Sequence, residues 1–287
     1  MLAYRHAFHA GNHGDVLKHT VLIAVLQHML QKDVPFTFID THAGAGGYAL
    51  DGHYAQKTAE HQAGVLILTA NTVPPPELLF NYKTLIEAFN GGGAITQYPG
   101  SPALASMLLR ADDPMRLWEL HPTDERILRS FLGKRMHTDV HLTDGFVGFV
   151  RELPPASRRG VILIDPSYEM KSDYAKTLTA LREGLKRFAT GTFIVWYPQL
   201  QTVESVQLPK RLMTAAGVAP KGWLHASLTV ERSEGGFGLR GSGVLVVNPP
   251  FTLAAQLRES LPWLAARLAS DGQGKFMVQE GRPVKPA

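Results

Sequence analysis

Short apolar, β-branched runs recur along this chain of 287 residues, with stretches of helical periodicity between them. Strands are predicted at 35–40, 115–120, 138–143, 161–165 and 192–197. Two further runs, 222–231 and 241–248, are separated only by the turn-rich 232–240. That leaves no room for a helix, so they are expected to form a terminal antiparallel pair. Among the helical stretches, 15–31 places Val16, Leu17, Val21, Leu22, Val25, Leu26, Met29 and Leu30 at roughly helical spacing. The segments 173–188 and 253–268 read similarly. The expected architecture is α/β: a seven-stranded, mostly parallel sheet wrapped by helices.

One spacing is abnormal. In a mononucleotide-binding unit the acid that holds the ribose lies about 20 residues beyond the glycine turn. Here the first acid at a strand end is Glu119, 73 positions after Gly46. The intervening 47–98 contains helical patterns at 55–68 and 77–89, a break at Pro74-Pro75-Pro76 and a hinge at Gly91-Gly92-Gly93. It is read as a small helical subdomain inserted into a main domain of 1–46 and 99–270. Residues 1–14 are set apart as an N-terminal ligand-contacting segment, and 271–287 as a loosely packed tail.

Composition narrows the chemistry. The chain has no cysteine, which excludes a disulfide framework, a thiolate nucleophile and Cys-ligated zinc or iron–sulfur clusters. Enzymes that attack a pyrimidine ring through a thiolate are excluded with them. The N-terminus has no apolar leader pattern, and no apolar run approaches the roughly 20 residues of a membrane span. The reading is a cytoplasmic protein that does not engage membranes. The net charge of +4 and pI near 9.2 suit a polyanionic partner. Lys134-Arg135, Arg158-Arg159, Lys186-Arg187 and Lys210-Arg211 point to a basic patch rather than a basic tail.

Two motifs carry the candidate chemistry. Phe38-Ile39-Asp40-Thr41-His42-Ala43-Gly44-Ala45-Gly46 is a strand running into a glycine-rich turn that lets backbone approach a ligand closely. It resembles the D-P-F-x-G-x-G turn of amino methyltransferases, with His42 in the aromatic place. A dinucleotide reading of the same glycines needs an acid ending a following strand. The nearest, Glu60, follows a stretch that is not strand-like. The second motif, Val161-Ile162-Leu163-Ile164-Asp165-Pro166-Ser167-Tyr168, is a buried-type strand ending in an acid, a rigid turn and an aromatic ring. It resembles the [D/N]-P-P-[Y/F] motif of enzymes that methylate exocyclic amines, with Ser167 replacing the second proline.

The residue types fit that chemistry. An adenine N6 lone pair is delocalised into the ring, so the amine needs acceptors for its N–H groups as a methyl approaches. Asp165 and the Pro166 carbonyl are expected to supply them, and Tyr168 to stack on a flipped-out base. Val246-Val247-Asn248-Pro249-Pro250-Phe251 matches the pattern more closely. It ends the last antiparallel strand, however, and is read as a terminating turn. Glu119 is assigned to the ribose hydroxyls, and Asp144-Gly145 to the adenine end of the same cofactor. The N-terminal run holds His6, His9, His13 and His19. Their irregular spacing and the lack of a completing carboxylate set argue against a metal. The aromatic, Arg and His residues near this helix start suit RNA or cofactor contacts better.

Together, Tyr4 to His19, Asp40 to Gly46, Tyr98 to Pro102, Glu119 to Pro122, Asp144-Gly145, Leu163 to Met170 and Trp196-Tyr197-Pro198 resemble the RlmJ family of 23S rRNA (adenine-N6)-methyltransferases. The resemblance implies a Rossmann-like class I methyltransferase fold and S-adenosylmethionine as cofactor. It implies a monomer acting on 23S rRNA free of ribosomal proteins. It also implies that His19, His42, Ser101, Glu119, Asp144, Gly145 and Asp165 hold the cofactor, that Asp165 is the catalytic acceptor, and that Tyr4 touches RNA; Lys18 and Gly44 are expected to join the cofactor contacts. Ser167 departs from the family pattern, which has proline there. The residues by themselves leave adenine N6 in DNA and a protein glutamine amide open. They leave open, too, a non-catalytic RNA-binding protein on the same fold.

Overall fold

A computed structural model describes residues 5–70, 73–231 and 238–283. The chain opens with α1 (His13–Leu30), β1 (Thr37–Asp40), β2 (Gly47–Ala49), α2 (His53–Thr58), α3 (Val65–Ala70) and α4 (Glu77–Phe89). It continues with β3 (Gln97–Pro99), α5 (Ser101–Leu108), β4 (Met115–Trp118), α6 (Pro122–Leu132), β5 (Thr138–His141) and α7 (Gly145–Gly148). The rest is β6 (Gly160–Ile164), α8 (Lys171–Arg187), β7 (Thr192–Gln199), α9 (Val203–Ala216), β8 (Trp223–Thr229), β9 (Gly241–Val247), α10 (Leu253–Leu268) and β10 (Lys275–Gly281).

The main sheet runs β10-β8-β9-β7-β6-β1-β4-β5. From β5 to β7 all neighbours are parallel. β9, β8 and β10 then join antiparallel. β1 and β6 are buried at every position, as central parallel strands covered on both faces must be.

The order departs from expectation at its edge. The sheet has eight strands rather than seven, because the segment expected as a loose tail pairs with β8 from Lys275↔Thr229 to Gly281↔Trp223. Its sequence hides this. Phe276 and Met277 remain more than 40% exposed, so no alternation of inward and outward positions marks the strand. Backbone pairing, a Val278 contact with the core and an Arg258–Glu280 ion pair at 2.7 Å hold it instead.

α1 is buried without a break from residue 14 to 26, with Asp15, Lys18, His19 and Thr20 enclosed among its apolar residues. Asn12 caps its start, its side chain accepting from the Asp15 amide at 3.0 Å. The helix lies between β9 and β7 on one side and α4, α5 and α10 on the other.

The inserted segment is not independent of this core, since Leu78, Leu79, Tyr82 and Ile86 pack in the same cluster as α1. Where sequence periodicity suggests one helix over 55–68, the chain forms α2, a 3-10 turn (Glu60–Ala63) and α3. The break falls at Ala59, whose φ of 54° is left-handed. β2 and β3 pair as a two-stranded clip, Gly47↔Pro99 to Ala49↔Gln97. The segment 47–98 therefore begins and ends at one point.

If β10 seals the edge of β8, truncation after Asp271 will lower the unfolding free energy by clearly more than the roughly 0.5 kcal/mol that loss of a loose surface segment costs. Denaturant titration measures this, and an unchanged midpoint would show that the edge pairing contributes nothing.

Candidate active site

A cleft of about 550 Å³ opens at the carboxyl ends of β1, β4, β6 and β7, where open parallel sheets bind ligands. The glycine turn after β1 forms its floor. Gly44 and Gly46 have φ of 63° and 84°, a region that costs other residues strain. The Gly44 amide donates to Glu119 Oε2 at 2.8 Å and the His121 amide to Glu119 Oε1 at 2.6 Å. Glu119, at the end of β4, is thus clamped between this turn and the start of α6, and burial pushes its carboxyl up. Asp144 caps α7, accepting from the Phe146 amide at 2.9 Å. A Cβ at Gly145 would lie 1.8 Å from the Thr41 carbonyl, so only glycine lets these two loops meet.

The N-terminus of α1 closes the cleft from the other side. Lys18 Nζ lies 2.7 Å from Asp15 and 2.5 Å from Asp165. Asp15 also accepts from the Gly11 amide at 2.8 Å and pairs with His6 at 2.9 Å. Although burial opposes both charges, His6 and Lys18 hold the Asp15 carboxyl well below, and Asp15 and Asp165 hold the Lys18 ammonium above, the usual range. His19 meets the Tyr98 hydroxyl through Nδ1 at 2.6 Å, and Tyr98 meets Tyr82 at 2.6 Å. His19 Nε2 is buried with no partner among the described residues. Burial also lowers His42 to about 3; its ring stands edge-on to Phe146 at 4.6 Å.

Lys18, His19, His42, Gly44, Ser101, Glu119, Asp144, Gly145, Asp165 and Pro166 all line this one cleft. Tyr168 does not. Left-handed backbone at this residue (φ 56°) accompanies a ring buried between Tyr174 and Trp196, with its hydroxyl donating to the Trp196 carbonyl at 2.7 Å. The stacking surface expected of Tyr168 is therefore corrected to a tie between the β6 turn and β7. Tyr4 falls outside the described residues. Asn248 lies away from the cleft, donating to the Ala189 and Gly191 carbonyls and accepting from the Lys221 amide, which makes its Pro-Pro sequence a turn lock.

Sequence reasoning missed Asp15, Asp40 and Trp196. Asp40 accepts from Ser101 Oγ at 2.6 Å and the His42 amide at 3.1 Å; burial raises it to about 7. A strand-terminal acid before the glycine turn was its available signal. Nothing in the spacing tied Asp15 to Asp165. Among the described residues no group of acids, histidines or cysteines is arranged to hold a metal, and no helix is long and apolar enough to cross a membrane.

Sheet order and the position of the cleft give the chain an α/β, Rossmann-like class I methyltransferase fold. It belongs to the family described as "Ribosomal RNA large subunit methyltransferase D, RlmJ", whose model matches residues 33–280. Ribosomal RNA large subunit methyltransferase J of Escherichia coli is 42% identical over 278 residues, covering 97% of this chain and 98% of that protein. The protein of the same name from Haemophilus influenzae is 41% identical over 280 residues, with coverage of 97% and 98%. A crystal structure of a Legionella pneumophila protein superposes with a TM-score of 0.85 at 30% identity, covering 95% of this chain and 98% of that one.

The buried neutral His42 sets a pH dependence. Its folded pKa, about 3, is depressed below the ordinary value near 6.5. Its contribution to stability is thus complete above pH 6.5 and is lost as pH falls toward 3, with a slope of at most about 1.4 kcal/mol per pH unit. Asp40 runs oppositely. Its raised carboxyl favours the fold below pH 4 and loses that advantage as pH rises toward 7. His42→Asn should flatten the acid side of the stability–pH curve by up to one proton, as measured by denaturant melts from pH 4 to 7. A slope equal to wild type would contradict the assignment of a neutral, buried His42.

Proposed function

We propose that this protein transfers a methyl group from S-adenosylmethionine to the N6 amine of a specific adenine in 23S rRNA, acting as a monomer on RNA free of ribosomal proteins. The observation that carries the reading is Asp165: a carboxylate ending β6, fixed by Lys18, in the same cleft as the glycine turn of β1. The names of the curated relatives supply the large-subunit rRNA target.

The donor set suits this cofactor. Eight carboxylates line the cleft, namely Asp15, Glu60, Glu119, Asp124, Asp144, Asp165, Glu169 and Asp173, against Lys18, Lys176 and a group of histidines of which His19 and His42 are held neutral. Such a cleft favours a cationic ligand. Glu119 keeps lone pairs for ribose hydroxyls, Gly44 and Gly145 let backbone approach closely, and the unpartnered His19 Nε2 awaits a polar group. When bound, the cofactor supplies an electrophilic methyl on sulfonium.

The protein's part is positioning and hydrogen bonding. Lys18 occupies Asp165 Oδ2, leaving Oδ1 to accept one N6–H, while the Pro166 carbonyl accepts the other. These acceptors draw density toward nitrogen, so that its lone pair would take the methyl as the S–C bond breaks and the bonding pair leaves with a neutral thioether sulfur. The proton that N6 then loses passes to Asp165. Holding the flipped base in line supplies much of the rate. Ser167 and Pro166 shape the turn, and Tyr168 fixes it through the Trp196 carbonyl.

Labelled methyl transfer to deproteinised 23S rRNA, to duplex DNA and to intact subunits tests the reading. N6-methyladenosine is expected in free 23S rRNA alone, with kcat reduced by roughly 10²-fold or more in Asp165→Ala. Labelling of DNA alone would overturn the substrate, and an undiminished Asp165→Ala would overturn the mechanism.

A further inference from the structure

An acidic cleft is a poor place to hold a polyanion, so the strand on either side of a target base must be gripped outside it. Beside the cleft mouth, α2 and the 3-10 turn His6–Phe8 build an alternating face of cations and rings. Arg5 lies 5.5 Å from the centroid of the Tyr54 ring. Phe8 meets Tyr54 edge-on at 4.9 Å, and Lys57 lies 5.8 Å from the Phe8 centroid. Tyr54 is 41% exposed, and His53, Gln56 and Lys57 beside it are exposed as well.

The face adjoins the cleft directly. His6 and His9, which flank Phe8, both line it, and Thr58 Oγ1 donates to the Phe8 carbonyl to hold α2 against the turn. The lysines that line the cleft are already compensated: Lys18 pairs with Asp15 and Asp165, and Lys176 lies 3.9 Å from Asp173. Arg5 and Lys57 are in no ion pair among the described residues. Their charge is unspent where the floor of the cleft turns negative.

We propose that Arg5, Phe8, Tyr54 and Lys57 form a docking face for the single RNA strand next to the target adenine, with a flanking base stacked on Tyr54 and phosphate held by Arg5 and Lys57. This rests on the RNA-methyltransferase reading above. Flipping one base leaves its neighbours unstacked, and an exposed ring beside a cation accepts any base, because every base has a π face. The face supplies grip on the strand, while the choice of adenine belongs to the cleft.

The test compares wild type with Tyr54→Ala, Tyr54→Trp and Lys57→Ala on deproteinised 23S rRNA. It measures RNA KM and kcat, the salt dependence of RNA binding on filters, calorimetric affinity for S-adenosylmethionine, and thermal midpoint. Tyr54→Ala is expected to raise KM for RNA about tenfold, with kcat and cofactor affinity unchanged and with Tyr54→Trp restoring the wild-type value. Lys57→Ala is expected to reduce the slope of log K against log salt by about one. Wild-type KM and slope in both alanine variants, with wild-type enzyme active on rRNA, would sink the docking face and leave the function standing. A KM rise in Tyr54→Trp as well, with weakened cofactor binding or a lowered midpoint, would reduce the cluster to a packing contact and also overturn the proposal. A wild-type enzyme that binds cofactor but labels no rRNA would remove the reading on which it rests.

Discussion

Everything at the site depends on one buried charge arrangement, in which Lys18 is held between Asp15 of its own helix and Asp165 at the end of β6. The lysine side chain is only 5% exposed, and stripping an ammonium of water costs several kcal/mol unless a paired geometry repays it. Here two carboxylates share the repayment, and Asp15 is itself satisfied by the Gly11 amide and His6. Removing one partner would strand charge in the interior, a loss of roughly 3–5 kcal/mol. The pair thus does two jobs. It anchors the start of α1, and it fixes the orientation of the carboxylate proposed to accept the N6–H. An apolar pair would pack as well, but it would leave no acceptor at the end of β6.

That anchor explains why α1 can serve as the spine. Buried on all sides from residue 14 to 26, it packs the sheet on one face and α4, α5 and α10 on the other. The insertion adds its buried side chains to an existing core rather than building its own. The β2–β3 clip closes the excursion at the glycine turn, with the Gly100 amide donating to the Gly46 carbonyl at 2.8 Å. Ser101 consequently stands beside Asp40, although 61 residues separate them in sequence. A long insertion placed this way lengthens a loop whose ends are already together, which costs little entropy and brings a further wall to the cleft.

What the sequence disclosed follows from what sequence patterns encode. Central strands such as β6 are continuous apolar runs, and Asp165 was legible because an acid after such a run sits at the carboxyl end of a strand. Glu119 was legible as the acid directly after β4, and Asp144 as the acid in the turn beyond β5. β10 was not, since an edge strand held mainly by backbone pairing carries no period-two signature. The helix expected over 55–68 was broken by a left-handed Ala59, a conformation that residue type alone does not announce.

Tyr168 shows the limit most clearly. The motif identifies the residue, and its aromatic type suggests stacking, but where a ring points is set by backbone dihedrals and the neighbours it meets. With φ of 56° at this position, the ring falls into the cluster of Tyr174, Leu178 and Trp196 and leaves the cleft to the carboxylate and the turn. The same aromatic character that marks the motif thus acts inward, bonding the β6 turn to the β7 carbonyl and stiffening the segment that carries Asp165. For the proposed transfer that rigidity matters in its own right, because an acceptor displaced by about an ångström forfeits much of what alignment contributes.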